Sequence, residues 1–225
     1  MAKGFKPTEN KSSSGYNTLF ERTKEKTNGE EQSWQWYRKT LRSMALEYKQ
    51  QPDKTIRDEK RDRSDSEDNQ DKNRLRRYAR QGRLFLFEYK AVSKYLPYYD
   101  RFPLVYVFKA NADHFIGANL HYLHPKRRPL VINKLKDERI DIPRICIHKY
   151  ILDHVDGFLL DLALDEWDTA IAIPLEQFVK TKGNILVPYK PADVWKETEK
   201  TWGDRIKAKR IIRGYGKPSD ITEVS

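Results

Sequence analysis

Between residues 83 and 123 the chain has three short runs, RLFLFEYKA (83–91), FPLVYVFKA (102–110) and HFIGANLHYL (114–123). In each, aliphatic and aromatic side chains dominate, and in the first they fall on both faces of an extended backbone. Runs of this length and composition, the last two parted by turn residues at 111–113, read as β-strands. They are the densest apolar stretch in the sequence and place a sheet at the centre of the folded part.

The residues that follow extend this core. Pro125 closes the third run and suits a helix start, so PKRRPLVINKLKDE is expected to turn helical, with regular helix confined beyond Pro129. RICIHKYILDHVDGFLLDLAL sets Ile147, Ile151, Val155 and Leu159 on one stripe, which predicts a helix interrupted near Gly157. EWDTAIAIPLEQFV is expected to supply one more short strand and a turn. Together these describe an α+β core domain over 83–180: a small antiparallel sheet or partly closed β-barrel with a helical insertion, flanked by extended or helical arms.

The flanks differ in kind. Residues 1–30 are polar and read as a flexible arm. Residues 31–50 predict an amphipathic helix, with Ser33 as N-cap and Trp34, Tyr37, Leu41, Met44, Ala45 and Tyr48 at helical spacing. Residues 51–82 form a charged linker, and 181–225 a basic extension with a short helix expected around 192–201. Both termini hold too little contiguous apolar surface to fold independently, so they are expected to gain order against neighbouring chains or nucleic acid. A net charge of +11 points to acidic partners, whether nucleic acid, an anionic surface or acidic subunit faces. The candidate contacts are Arg74, Arg76, Arg77 and Arg80 before the core, and Lys207, Lys209, Arg210 and Arg213 after it. Cys146 is the single cysteine, which excludes an internal disulfide and cysteine-rich metal sites. No apolar run is long enough to span a bilayer, and MAKGFKPTENKSSSG lacks the apolar stretch of a signal peptide, so a cytoplasmic product is expected.

The spacing of the polar residues limits the chemistry they can carry. His114, His121 and His124 invite a metal, but His121 and His124 are three apart in strand-like sequence, and such residues point to opposite faces. His148 and His154 would be separated around a helix. Structural or surface roles fit all five. Asp161 and Asp165 could share a helix face as Mg²⁺ carboxylates of a nuclease, with Glu166 beside them, or could serve as a cap and polar rim around Trp167. Asp100, just before Phe102-Pro103, is placed to close a turn as an acceptor. Gly117 reads as a bulge or a close backbone approach, and Asn119 with His121 as a polar pair able to pin a loop. No catalytic residue, cofactor site or metal site emerges. Tyrosines and arginines around 95–128 suit a protein interface or base stacking equally.

The segment LPYYDRFPLV, followed by FIGANLHYL, a Pro-Lys-Arg helix start and WDTAIAIPLEQFVK, resembles a group of small proteins from T4-like contractile-tailed phages and cyanophages. The likeness covers about residues 83–180 and rests on Pro97, Tyr98, Tyr99, Asp100, Phe102, Pro103, Leu104, Gly117, Asn119, Leu120, His121 and Tyr122. It implies a virion-associated or morphogenesis protein and brings no catalytic residues with it. The expected function is therefore a structural component of a phage neck, tail or baseplate. It would be present in multiple copies in a ring or shell, contact other phage structural proteins, and pass through the host cytoplasm during assembly. The alternatives are a DNA-binding protein of packaging or replication, and a metal-dependent nuclease.

Overall fold

The computed structural model describes residues 39–40, 75–91, 96–136, 141–182, 185–207 and 222–223. Its strands in chain order are β1 (Leu75–Arg76), β2 (Leu84–Leu86), β3 (Tyr99–Asp100), β4 (Leu104–Ala110), β5 (His114–Asn119), β6 (Asp141–Pro143), β7 (Ile147–Ile151), β8 (Leu159–Leu162), β9 (Phe178–Lys182), β10 (Ile185–Pro188), β11 (Arg205–Lys207) and β12 (Thr222–Glu223). Beyond Leu75 the described α-helices are α1 (Arg128–Lys136), α2 (Trp167–Ala172) and α3 (Pro191–Lys200).

The main sheet runs β1-β8-β2-β4-β5-β7-β12, antiparallel except where β12 lies parallel to β7. Its end strands do not meet, so the α+β fold is built on an open sheet and not on a closed barrel. A smaller antiparallel sheet, β10-β9-β3, stands beside it, and β11 pairs with β6. The expected helix 31–50 and arm 1–30 lie outside the described residues, apart from helical Lys39 and Thr40.

Strand alternation divides the core in two. Leu84, Leu86, Leu104, Tyr106, Phe108, Ile116, Ala118 and Ile147 point to the face covered by Val131, Ile132 and Leu135 of α1, Trp167, Ala170 and Ile171 of α2, and Val194 of α3. Phe85, Phe87, Val105, Val107, Phe115 and Tyr150 point to the other. There Phe87 meets Tyr89, Phe115 and Tyr150 edge-on, the geometry that aligns the positive ring edge with a negative ring face. Apolar residues on both faces of β2 and β4 are thus accounted for, because both faces are covered.

Two sequence expectations fail. The helix predicted through Ile147, Ile151, Val155 and Leu159 is instead β7, a 3-10 turn and β8. Ile145, Ile147 and Ile151 are β-branched, β5 offers β7 a full pairing edge, and Gly157 turns the chain at φ 100°, a left-handed backbone suited to glycine. Conversely, the strand expected within EWDTAIAIPLEQFV starts only at Phe178. WDTAIA is α2, with Trp167, Ala170 and Ile171 buried at i, i+3 and i+4. Pro129 sits in the first turn of α1, which starts one residue earlier, where a missing N–H breaks no helical bond.

The basic extension is a third correction over part of its length. Residues 185–207 pack on the core of their own chain: Val194 is fully buried, and Tyr98 Oη donates to Glu197 Oε2 at 2.7 Å. Arg127 Nη2 donates to Glu199 Oε2 at 2.9 Å while its guanidinium lies 4.3 Å over the Trp202 ring. Trp195 and Trp202 lie in the extension that was expected to gain order against neighbouring chains or nucleic acid, and both find cover within the fold. Hydrogen exchange on the monomer is expected to find the amides of 194–200 protected; exchange there as fast as in an unfolded peptide would return this segment to the status of an unanchored strap.

Gly117 meets its expectation. β4 passes so close that a Cβ at this position would lie 2.4 Å from Val105 Cγ1 and 2.5 Å from the Tyr106 carbonyl oxygen. The β4–β5 register also shifts between Val107 and Lys109. Gly117→Ala is expected to cost about 1–3 kcal/mol, read as a lower urea midpoint at unchanged slope. An unchanged midpoint would mean that the two strands part freely here.

Candidate functional site

Several residues of the LPYYDRFPLV and FIGANLHYL segments converge on one carboxylate. Asp100 closes β3, next to the tight corner that starts β4, and is almost wholly buried. Its Oδ1 accepts from the Phe102 N–H at 3.0 Å, closing the local turn, and from the Gln177 N–H at 2.9 Å, tying in the chain ahead of β9. Its Oδ2 accepts from Asn119 Nδ2 at 3.3 Å and is 2.7 Å from His121 Nδ1. Burial alone would raise the Asp100 pKa, but His121 and the two backbone donors outweigh it and hold the carboxyl below its ordinary range. An ionised carboxylate only accepts, so His121 Nδ1 carries the hydrogen of that bond.

Asn119 and His121 reach Asp100 because β5 ends at Asn119 and a 3-10 turn, Leu120–Tyr122, follows. Asn119 Oδ1 caps that turn by accepting from the His121 N–H at 3.0 Å, and Asn119 also hydrogen-bonds the Tyr150 hydroxyl. A second buried ion pair supports the turn from below. Arg128, fully buried, donates from Nε to the Leu123 carbonyl at 3.0 Å and from Nη2 to Glu176 Oε2 at 3.2 Å. Trp195 of α3 donates to the His121 carbonyl at 3.0 Å. Three distant segments therefore meet on residues 119–123.

Aromatic rings pack round this polar spine. Tyr98 stacks on Tyr189 at 4.7 Å and meets the Phe178 ring edge-on. Tyr122 lies 4.5 Å from the ring of His148, and Tyr99, Phe102 and Pro103 are buried. His148 is buried, and burial pulls its pKa down to about 3, although the charge of Asp100 and a backbone hydrogen bond to Ile145 act the other way. His121 Nε2 bonds no described group. A carboxylate–histidine pair is a frequent catalytic and metal-site component. Here both side chains lie inside the protein, where the pair orients a loop.

The other sequence candidates are structurally engaged. Asp161 is in β8, not on a helix face shared with position 165; Arg83 Nε lies 2.9 Å and Arg76 Nε 3.8 Å from its carboxylate. Glu166 Oε2 accepts from the Ala163 N–H at 3.0 Å, capping the turn that leads into α2. His114 hydrogen-bonds Asn111 and Asp113, and His124 Nδ1 accepts from the Lys126 N–H. His148 and His154 belong to a strand and a 3-10 turn, correcting the helical placement. Among the described residues no three His, Cys, Asp or Glu side chains converge as metal ligands. Arg77 and Arg80 are exposed, with Arg77 5.9 Å from the Phe158 ring, and Lys207 pairs in register with Asp141. Arg74, Lys209, Arg210 and Arg213 lie outside the described residues.

The sequence reading identified Asp100 as a turn acceptor and Asn119 with His121 as a loop-pinning pair. It did not join them; it set Arg128 among the cations of an interface or base-stacking surface, whereas Arg128 is fully buried and bonds Glu176, a residue it did not single out. A buried arginine in a basic stretch such as PKRRPL looks like any surface cation. No family model, curated protein or solved structure matches the chain.

The buried histidine fixes a pH dependence. His148 has a folded pKa of about 3 against an unfolded value of 6.5, so between these limits the unfolded chain binds a proton that the folded chain refuses. Its contribution is complete above the unfolded value and falls as pH drops towards 3, by roughly 4 kcal/mol across the window. Asp100, whose folded pKa is depressed, adds a further loss only below its own unfolded value of 3.8. His148→Phe is expected to flatten the decline in urea stability between pH 6.5 and 4; an unchanged slope would mean that His148 reaches water.

Proposed function

We propose that this chain is a non-enzymatic structural component of a phage particle, in the neck, tail or baseplate. It would dock neighbouring subunits through its core domain and arms, in several copies. The observation that carries the reading is the fate of the motif residues. From Tyr98 to Leu104 only Arg101 is even half-exposed, and Gly117 to Tyr122 are buried without exception. A motif committed to a rigid interior gives a scaffold whose output is its surface. That surface includes exposed Tyr78, Leu130, Leu164, Ile185 and Leu186, groups suited to contacts with other chains. The location proposed is the virion, preceded by the host cytoplasm during assembly; no helix among the described residues is long and apolar enough to cross a membrane.

Mass spectrometry of gradient-purified particles is expected to find the chain at constant stoichiometry to known structural subunits. Its absence from mature particles would sink the structural-component reading.

A second reading, binding of DNA during packaging or replication, is favoured by exposed Arg77 and Arg80 flanking a Tyr78 that is 63% exposed. It predicts binding that weakens steeply with salt. No binding to single- or double-stranded DNA at low salt would remove it.

A further inference from the structure

Among the described residues the small sheet ends at β10, whose outer edge pairs with no further strand. Tyr189 N–H donates to the Phe178 carbonyl at 2.9 Å, and the register sets Val187 against Lys180 and Ile185 against Lys182. In an antiparallel ladder every second residue directs both backbone groups at its partner. Residues 185, 187 and 189 therefore face β9, and Leu186 turns its N–H and C=O outwards. On the other flank of β9, Arg101 N–H donates to the Gln177 carbonyl at 2.9 Å, so β3 already occupies that side. Pro188 has no N–H and stops an added ladder at one end.

The side chains on this edge are unusual for one facing water. Ile185 is 68% and Leu186 44% exposed, although edge strands ordinarily carry charges that discourage pairing. The charge lies next to them and has one sign. Between Glu176 and Asp193 the chain carries Lys180, Lys182 and Lys190 and no acidic residue. All three lysines are exposed, and Lys180 Nζ sits 5.4 Å over the Tyr189 ring.

We infer that β10 is a docking edge for a short extended segment of a partner protein that carries acidic side chains. Leu186 supplies the backbone bonds, Ile185 and Leu186 the apolar contact, and the lysines the charge complement. A second copy on the same edge would bring three more lysines and no acid to meet them, so charge selects an acidic partner over self-pairing. The inference deepens the docking reading by naming the partner's chemistry. Absence from particles would remove the particle assignment and leave the outcome of the following titration unaffected.

The test titrates a capped peptide alternating glutamate and valine, and its lysine–valine counterpart, into the full-length chain while NMR follows the Leu186 amide. The acidic peptide is expected to shift that amide and to bind more weakly as salt rises, and the basic peptide to leave it unmoved. The double variant Lys180→Glu/Lys182→Glu, at exposed positions, should weaken acidic-peptide binding by about tenfold or more and admit the basic one. Unaltered shifts in α3 would show that the variant is folded. Failure of the acidic peptide to move Leu186, or an unchanged preference in the variant, would overturn the proposal. So would a solution dimer dispersed by Ile185→Glu, which would assign the edge to a second copy.

Discussion

The architecture depends on one buried carboxylate. Removing an ion from water costs several kcal/mol even after the protein relaxes, and a buried charge persists only where donors surround it. Asp100 has four: two backbone N–H groups, an amide and an imidazole. The donors come from three stretches: Phe102, the turn holding Asn119 and His121, and Gln177. The desolvation cost is offset only when the β3–β4 corner, the end of β5 and the approach to β9 are all in place. The charge thereby couples the small sheet to the large one.

The turn at 119–123 carries this coupling outwards. Its side chains serve Asp100, while its carbonyls serve Arg128 and Trp195. Removing Arg128 would leave Glu176 as an uncompensated buried anion, which is why the pair holds α1 against the segment leading into β9. Trp195 anchors α3 to the same turn, and the contacts of Tyr98 and Arg127 with Glu197 and Glu199 hold the helix along its length. The basic extension is thereby joined to the core by the residues that organise the core, and β9 and β10 lie in sequence between these two anchors.

How much of this was legible varied with range. The strands around Phe85, Val105 and Phe115 were readable because aliphatic and aromatic content and the bounding turn residues are local properties. So were the Asx-type turn at Asp100 and the close approach at Gly117, where the residue type states the backbone requirement. The segment 147–159 misled because apolar residues four apart fit a helix, while the pairing edge of β5 that makes it a strand is remote in sequence. WDTAIA misled the other way: its i, i+3, i+4 pattern was present but brief, and the apolar run through Ile173 blurred it. The union of Asp100 with His121, and of Arg128 with Glu176, has no local signature at all.

By itself, then, the sequence determined that residues 83–180 hold an α+β core built on antiparallel strands, that this core is the apolar part of an otherwise basic, polar chain, and that Asp100, Gly117 and Asn119 have local backbone duties. Side-chain spacing and turn chemistry act over a few residues and can be read directly. Only the tertiary structure decided that the sheet stays open, that residues 185–207 close over their own core, and that the polar motif is an interior brace. Those outcomes depend on which distant segments share a desolvated charge, and the free energy of burying it is set by the assembled surroundings, not by neighbours along the chain.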